Sequence, residues 1–127
     1  MTANSAAVSI QIVIDCQDPN ALADFWAAAL HYEKQWDCAA SPDTEWCAVV
    51  DHARRGPRIV FQRVREAKAG KNRVHLDMQV GQGHAEAEVQ RLLMIGATRV
   101  TTIEPAGPGL HRRTIMRDPE GNEFCVQ

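Results

Sequence analysis

No apolar run in this chain approaches the roughly 20 residues needed to span a bilayer. The opening residues, Met1-Thr2-Ala3-Asn4-Ser5, lack a basic segment followed by a long apolar one, so no secretory leader is read here. None of the four cysteines, Cys16, Cys38, Cys47 and Cys125, stands in C-x-x-C spacing, which argues against a zinc knuckle or a thioredoxin-type pair. Charge of either sign is not in excess: the formal net charge is −2, with no global pull toward nucleic acid or anionic membrane. These absences lead to the expectation of a cytoplasmic protein with reduced thiols, with neither nucleic acid nor membrane as partner.

What is present is an ordinary apolar fraction on 127 residues, enough for one domain with a core. Basic residues gather locally at Arg54-Arg55, Arg63, Arg65, Lys68, Lys71 and Arg73. The plain reading is a solvated linker region; a grip on phosphate or carboxylate is the lesser one.

The most informative stretch is Arg73 to Val80. Val74, Leu76, Met78 and Val80 alternate with His75, Asp77 and Gln79, the period-two mark of a half-buried strand. The polar row is unusual, since it sets an imidazole, a carboxylate and an amide side by side. It fits either a wet outer surface or the wall of a polar cavity.

The rest of the chain falls into order around it. Val8 to Asp15 alternates as a first strand, with Ile10, Ile12 and Ile14 on one face and Gln11, Val13 and Asp15 on the other. Asp18-Pro19 reads as a helix start, a side-chain cap followed by proline at the first position. Leu22, Phe25, Trp26, Ala29 and Leu30 form one apolar stripe, ending near His31. Tyr32–Cys38, Trp46–Val50 and Arg58–Val64 read as strands, with a polar loop at Ala39–Thr44 and a turn at Arg54-Arg55-Gly56-Pro57. After the charged connector 65–71 the order repeats. A strand at 73–80 leads to a helix over Ala85–Ile95, with Ala85, Val89, Leu92 and Leu93 on one face and Gly96 suited to the left-handed position after it. Strands follow at Thr98–Ile103, His111–Arg117 and Glu123–Gln127, the last preceded by Asp118-Pro119-Glu120-Gly121, a type I turn composition.

The chain is therefore βαβββ twice, in modules of about 8–64 and 72–127, an α+β fold. Ile10-Gln11-Ile12 registers with Val74-His75-Leu76, and Gly56 to Gln62 with Gly121 to Gln127. Such an internal repeat predicts pseudo-twofold architecture. Each module has one helix, which covers one sheet face. The other faces carry Gln11, Val13, Asp15, Arg58, Val60, Gln62, His75, Asp77, Gln79, Glu123, Cys125 and Gln127. The scarcity of Lys and Thr among them favours two faces curving into an enclosed, ligand-sized cup.

This pattern resembles the vicinal oxygen chelate superfamily, in its glyoxalase-like and bleomycin-resistance-like branch. The resemblance runs over nearly the whole chain. It rests on Ile10-Gln11 through Asp18-Pro19, on Val74-His75-Leu76, on Leu92 to Ala97 and, most specifically, on Arg117-Asp118-Pro119-Glu120-Gly121-Asn122-Glu123-Phe124. It implies a paired βαβββ fold forming a cup-shaped cavity, a small-molecule ligand and a homodimer. In many members a divalent metal polarises vicinal substrate oxygens; others bind a drug without metal.

The family's metal positions fall on Gln11, Val60, His75 and Cys125. His75 is a good ligand and Gln11 a usable one, whereas Val60 cannot coordinate. Cys125, standing where a Glu is expected, would favour zinc over harder ions. The set is a degenerate site for a divalent metal, with His75 and Gln11 as its metal candidates. Glu123 shares the face of Cys125 but enters one strand step, roughly 6–7 Å, away.

Without metal, His75, Asp77 and Glu123 form an acid–base set if the cavity shifts their pKa values; equally, they satisfy one another and buried water. Cys125 reads either as a nucleophile served by His75 or, more simply, as an inert thiol. Gln11, Asp15, Trp46, Arg58, Gln62, Gln79 and Cys125 complete the expected ligand-binding set. The resemblance thus implies a glyoxalase-like lyase or isomerase centred on His75. The alternative is a non-catalytic drug-sequestering protein with Trp36 and Trp46 as stacking platforms.

Overall fold

The computed structural model describes residues 6–36, 38, 43–109 and 111–127. The first five residues, and most of the expected loop at 39–44, lie outside these. The chain divides into two compact units, Met1–Val64 and Arg65–Gln127, each with one helix and one four-stranded sheet.

In unit 1 the elements are β1 (Gln11–Cys16), α1 (Pro19–Leu30), β2 (Glu33–Lys34), β3 (Trp46–Val50) and β4 (Arg58–Arg63). The sheet order is β1-β4-β3-β2. β1 lies parallel to β4 along its whole length, from Gln11 opposite Arg58 to Cys16 opposite Arg63. The helix starts as its sequence dictates. Asp18 accepts the N–H of Ala21 at 3.1 Å and Pro19 occupies the first turn, while His31 ends the helix in the left-handed region at φ 56°. Leu22, Phe25, Trp26 and Ala29 are buried where α1 meets β3 and β4. Ile59 and Phe61 are buried with them, so alternation turns Arg58 and Gln62 to the opposite face.

Asp51 closes the turn before β4. Its carboxylate accepts the N–H groups of Ala53, Arg55 and Gly56 at 2.9–3.0 Å. The Gly56 and Ala53 bonds hold its pKa below the ordinary carboxylate value, against burial, with further help from the Arg55 N–H and charge. Glycine at position 56 follows from crowding, because an added Cβ would lie 2.0 Å from the Tyr32 hydroxyl oxygen.

Unit 2 contains β5 (Asp77–Met78), α2 (Ala85–Met94), β6 (Thr98–Ile103), β7 (Arg113–Arg117) and β8 (Glu123–Val126), in the order β5-β8-β7-β6. The arrangement repeats that of unit 1, first strand parallel to last. Val89 and Leu92 of α2 are buried together with Phe124 and Val126. Asp118 organises the turn into β8: Gly121 N–H donates to its carbonyl, while its side chain accepts from the N–H groups of Glu120 and Asn122.

Several expectations change. The strand expected at 73–80 is regular only at Asp77–Met78. Backbone bonds from Cys125 to Leu76, from Gln127 to Met78 and from Val80 to Gln127 extend its pairing, but Arg73 and Val74 bend away. The reason is a competing partner: Asn72 is held through its N–H to Glu123 Oε1 (3.0 Å) and through its amide to Asn122 (3.2 Å). Val74 is consequently 80% exposed rather than a core residue. Ile10, expected under α1, is 73% exposed because regular pairing begins only at Gln11. The strand expected at 32–38 is regular only over Glu33–Lys34.

The expectation of four reduced thiols also fails. Cys38 and Cys47 form a disulfide, with Cα atoms 6.0 Å apart, inside the range such a bridge requires. Cys16 and Cys125 are buried and stand outside the disulfide. Disulfides persist mainly in oxidising compartments, so the thiol argument for a cytoplasmic location is lost. No helix among the described residues is long and apolar enough to cross a membrane.

Candidate functional site

The strongest chemical grouping lies in unit 2. Parallel pairing sets Asp77 directly opposite Cys125, and His75 precedes Asp77 by two residues on the same polar row. The result is a three-residue cluster in which one ligand atom from each of His75, Asp77 and Cys125 lies within 4.8 Å of the others. His75 and Asp77 are exposed and Cys125 is buried. Burial pushes the Cys125 thiol pKa up, and the neighbouring Asp77 carboxylate raises it further by charge and by hydrogen bonding; Arg113 and Lys71 oppose this. In this form Cys125 is a protonated thiol held by Asp77, a poor nucleophile at neutral pH.

The donors fit a divalent ion. An imidazole nitrogen, a carboxylate oxygen and a cysteine thiolate are the ligand types zinc takes, so Cys125 would lose its proton on binding, and donors around tetrahedral zinc stand roughly 3.5 Å apart. A zinc ion held by these three residues would have one of its four coordination positions left for a small molecule.

Glu123, on the same strand as Cys125, has a different occupation. Its carboxylate accepts the Asn72 N–H at 3.0 Å and pairs with Lys68 Nζ at 3.0 Å. Burial raises its pKa, but the Asn72 bond, the Lys68 ammonium and its own N–H outweigh that and hold it at about 2. A carboxylate this acidic is a weak proton acceptor near neutral pH, and its bonds tie the 65–72 segment to β8. Gln79, the last polar residue of the row, is exposed.

The remaining expected ligand-binding residues belong to unit 1. Gln11 is opposite Arg58, and Asp15 is opposite Gln62, which is in turn opposite Trp46. Gln11, Asp15, Gln62 and Trp46 are exposed. The Gln11 amide oxygen, expected as a metal ligand, accepts from Arg58 Nη1 at 2.6 Å. Arg58 also donates from Nε to Gln35 Oε1 at 2.7 Å, and its guanidinium carbon lies 5.8 Å from the Trp46 ring centroid. Trp46 meets Trp36 edge to face, with centroids 4.6 Å apart.

Two parts of this arrangement go beyond sequence reasoning. Asp77 was expected as an acid–base group, and its place opposite Cys125 as a third donor depends on strand register. Gln35 carries no local signal in the sequence, because its approach to Arg58 comes through β2–β3–β4 pairing.

A glyoxalase-like domain family model matches residues 11–127. No curated protein matches. Solved structures share the fold at low identity. A complex of the fosfomycin resistance protein FosX from Listeria monocytogenes, with Mn(II) and 1S,2S-dihydroxypropylphosphonic acid, is 15% identical, with TM-score 0.73 over 100% of this chain and 90% of that one. A glyoxalase/bleomycin resistance protein/dioxygenase family enzyme from Burkholderia phytofirmans PsJN is 18% identical, with TM-score 0.69 over 91% and 94% of the two chains. A glyoxalase-related enzyme from Fulvimarina pelagi is 15% identical, with TM-score 0.69 over 94% and 86%. With two βαβββ units and a family match running from the first strand to the last residue, the chain belongs to the glyoxalase-like family of the vicinal oxygen chelate superfamily.

Proposed function

We propose that this chain is a glyoxalase-like lyase or isomerase that binds a small organic molecule beside His75, with His75, Asp77 and Cys125 holding a divalent ion of the zinc type. The observation that carries the reading is the convergence of those three donors in unit 2. Such an ion, when bound, supplies Lewis-acid polarisation of a substrate oxygen. Cys125 makes zinc a better match than manganese, the metal of the FosX complex, because a sulfur ligand suits the softer ion. Asp77 holds Cys125 in place across the two strands. Glu123 is a positioning residue in this reading, fixing the approach to β5 through Asn72. The exposure of two of the three ligands, His75 and Asp77, makes the ion exchangeable, so dialysis against a chelator should leave less than one equivalent bound. The family resemblance adds the expectation of a homodimer; light scattering that finds only monomer would remove it.

Titration of chelator-treated protein with cobalt(II), a spectroscopic stand-in for zinc, tests the site. Binding of one equivalent with a sulfur-to-cobalt charge-transfer band is expected, and Cys125→Ser should abolish the band. Absence of the band in the unaltered protein would refute the three-donor site. A second reading, ligand sequestration without turnover, is favoured by the exposed Trp36–Trp46 pair. It predicts binding of an aromatic ligand and no metal-dependent consumption of it.

A further inference from the structure

We propose that Arg58, with Trp46 and Trp36, forms an anion-anchored aromatic site in unit 1, whose ligand class is a planar aromatic carboxylate. The inference extends the small-molecule reading given above but does not depend on the metal cluster of unit 2.

Arg58 is gripped on two sides by neutral amides, Nε by Gln35 and Nη1 by Gln11. Its guanidinium is also placed beside the Trp46 ring at 5.8 Å, within the range of a cation–π contact. A long side chain that usually samples many rotamers is thereby held in one direction.

Arg91, Arg99 and Arg112 each pair with a glutamate, Glu88, Glu86 and Glu104 respectively. Arg58 has no carboxylate partner among the described residues; both of its hydrogen bonds go to uncharged amides. Its positive charge is fixed but not neutralised. Among the described residues Nη2 has no acceptor, so its two N–H groups are left for a ligand. A carboxylate binding there gains charge-assisted hydrogen bonds without first displacing a competing anion.

Trp46 is 45% exposed and Trp36 is 40% exposed, and their edge-to-face contact makes a corner of two rings. The Cys38–Cys47 disulfide lies just beyond both tryptophans in the chain and joins the segment carrying Trp36 to the strand carrying Trp46. A flat aromatic ligand can stack in that corner while its acidic group reaches Arg58. An aliphatic anion would use only the arginine, and a neutral ring only the tryptophans.

Isothermal calorimetry with 2-naphthoate and its neutral counterpart naphthalene-2-methanol separates these cases. Saturable 1:1 binding of 2-naphthoate is expected, with the neutral compound at least about tenfold weaker. Arg58→Met should weaken 2-naphthoate by roughly 10- to 100-fold, the usual loss for a hydrogen-bonded charge, and bring the two compounds close to parity. Trp46→Leu should weaken both compounds, and Gln35→Leu, which loosens the grip on Arg58, should weaken only 2-naphthoate. Equal affinity for the two compounds, unchanged binding in Arg58→Met, or no binding of 2-naphthoate would overturn the proposal. The cobalt(II) titration keeps the two readings apart, and Arg58→Met should leave its charge-transfer band intact. In the unaltered protein, a band without naphthoate binding removes this site alone; naphthoate binding without the band removes the metal cluster alone.

Discussion

The two units share one strand order and divide the work unequally. Unit 1 is the better built. Its first strand pairs over six residues, its helix is capped by Asp18 and buries Leu22, Phe25 and Trp26, and a disulfide closes one of its loops. Unit 2 repeats the plan with less. Its first strand pairs regularly over two residues, α2 starts at His84 with no side-chain cap, and only Val89 and Leu92 of that helix are buried. The donor cluster belongs to the looser unit and the clamped arginine to the tighter one. A repeated fold thus lets one copy carry more of the packing while the donor cluster stands on the less regular first strand of the other.

The comparison can be broken most forcefully at Trp26. Trp26→Ala should destabilise unit 1 by about 3–5 kcal/mol, the cost of emptying a large buried site, as read from urea denaturation followed by circular dichroism. Next is the disulfide. Cys38 and Cys47 lie nine residues apart, and replacing both with serine should cost on the order of 2–3 kcal/mol through the freed unfolded chain. Loss of less than about 0.5 kcal/mol would show that unit 1 does not depend on it.

In unit 2, Glu123→Gln should cost about 1–2 kcal/mol at neutral pH once solvent screening is allowed for, and should release the 65–72 segment to faster amide exchange. The pH dependence has a definite sign. The folded pKa of about 2 lies below the ordinary 4.5, so this stabilisation is complete above about pH 4.5 and disappears as pH falls toward 2. Glu123→Gln should flatten that part of the stability profile, and an unchanged profile would assign the acid sensitivity to other groups. The smallest effect sharpens the contrast between the helices. Asp18→Ala should cost about 1 kcal/mol, whereas His84→Ala, which removes no cap bond, should stay within about 0.5 kcal/mol.

Much of this was legible in the residues. Alternation and turn chemistry located α1 from Asp18 to His31 and the strands at Trp46–Val50 and Thr98–Ile103, because those signals are local. The shortening of the strand around His75 was not legible, since it is caused by Glu123 and Asn122, about 50 residues away in the chain. The disulfide was missed because cysteine spacing says nothing of strands brought together by pairing. At the candidate site, His75 and Cys125 were legible as donors, while the third place went to Gln11, a residue whose amide oxygen is occupied by Arg58. Asp77 takes it instead through a cross-strand register that alternation alone does not reveal.

All three tryptophans, Trp26, Trp36 and Trp46, and the single tyrosine, Tyr32, lie before residue 65, inside unit 1. Intrinsic ultraviolet emission from this protein is therefore a report on one half of the chain. A tryptophan introduced in the half that bears His75, for instance at Phe124, would add an emitter there and give each half its own optical voice.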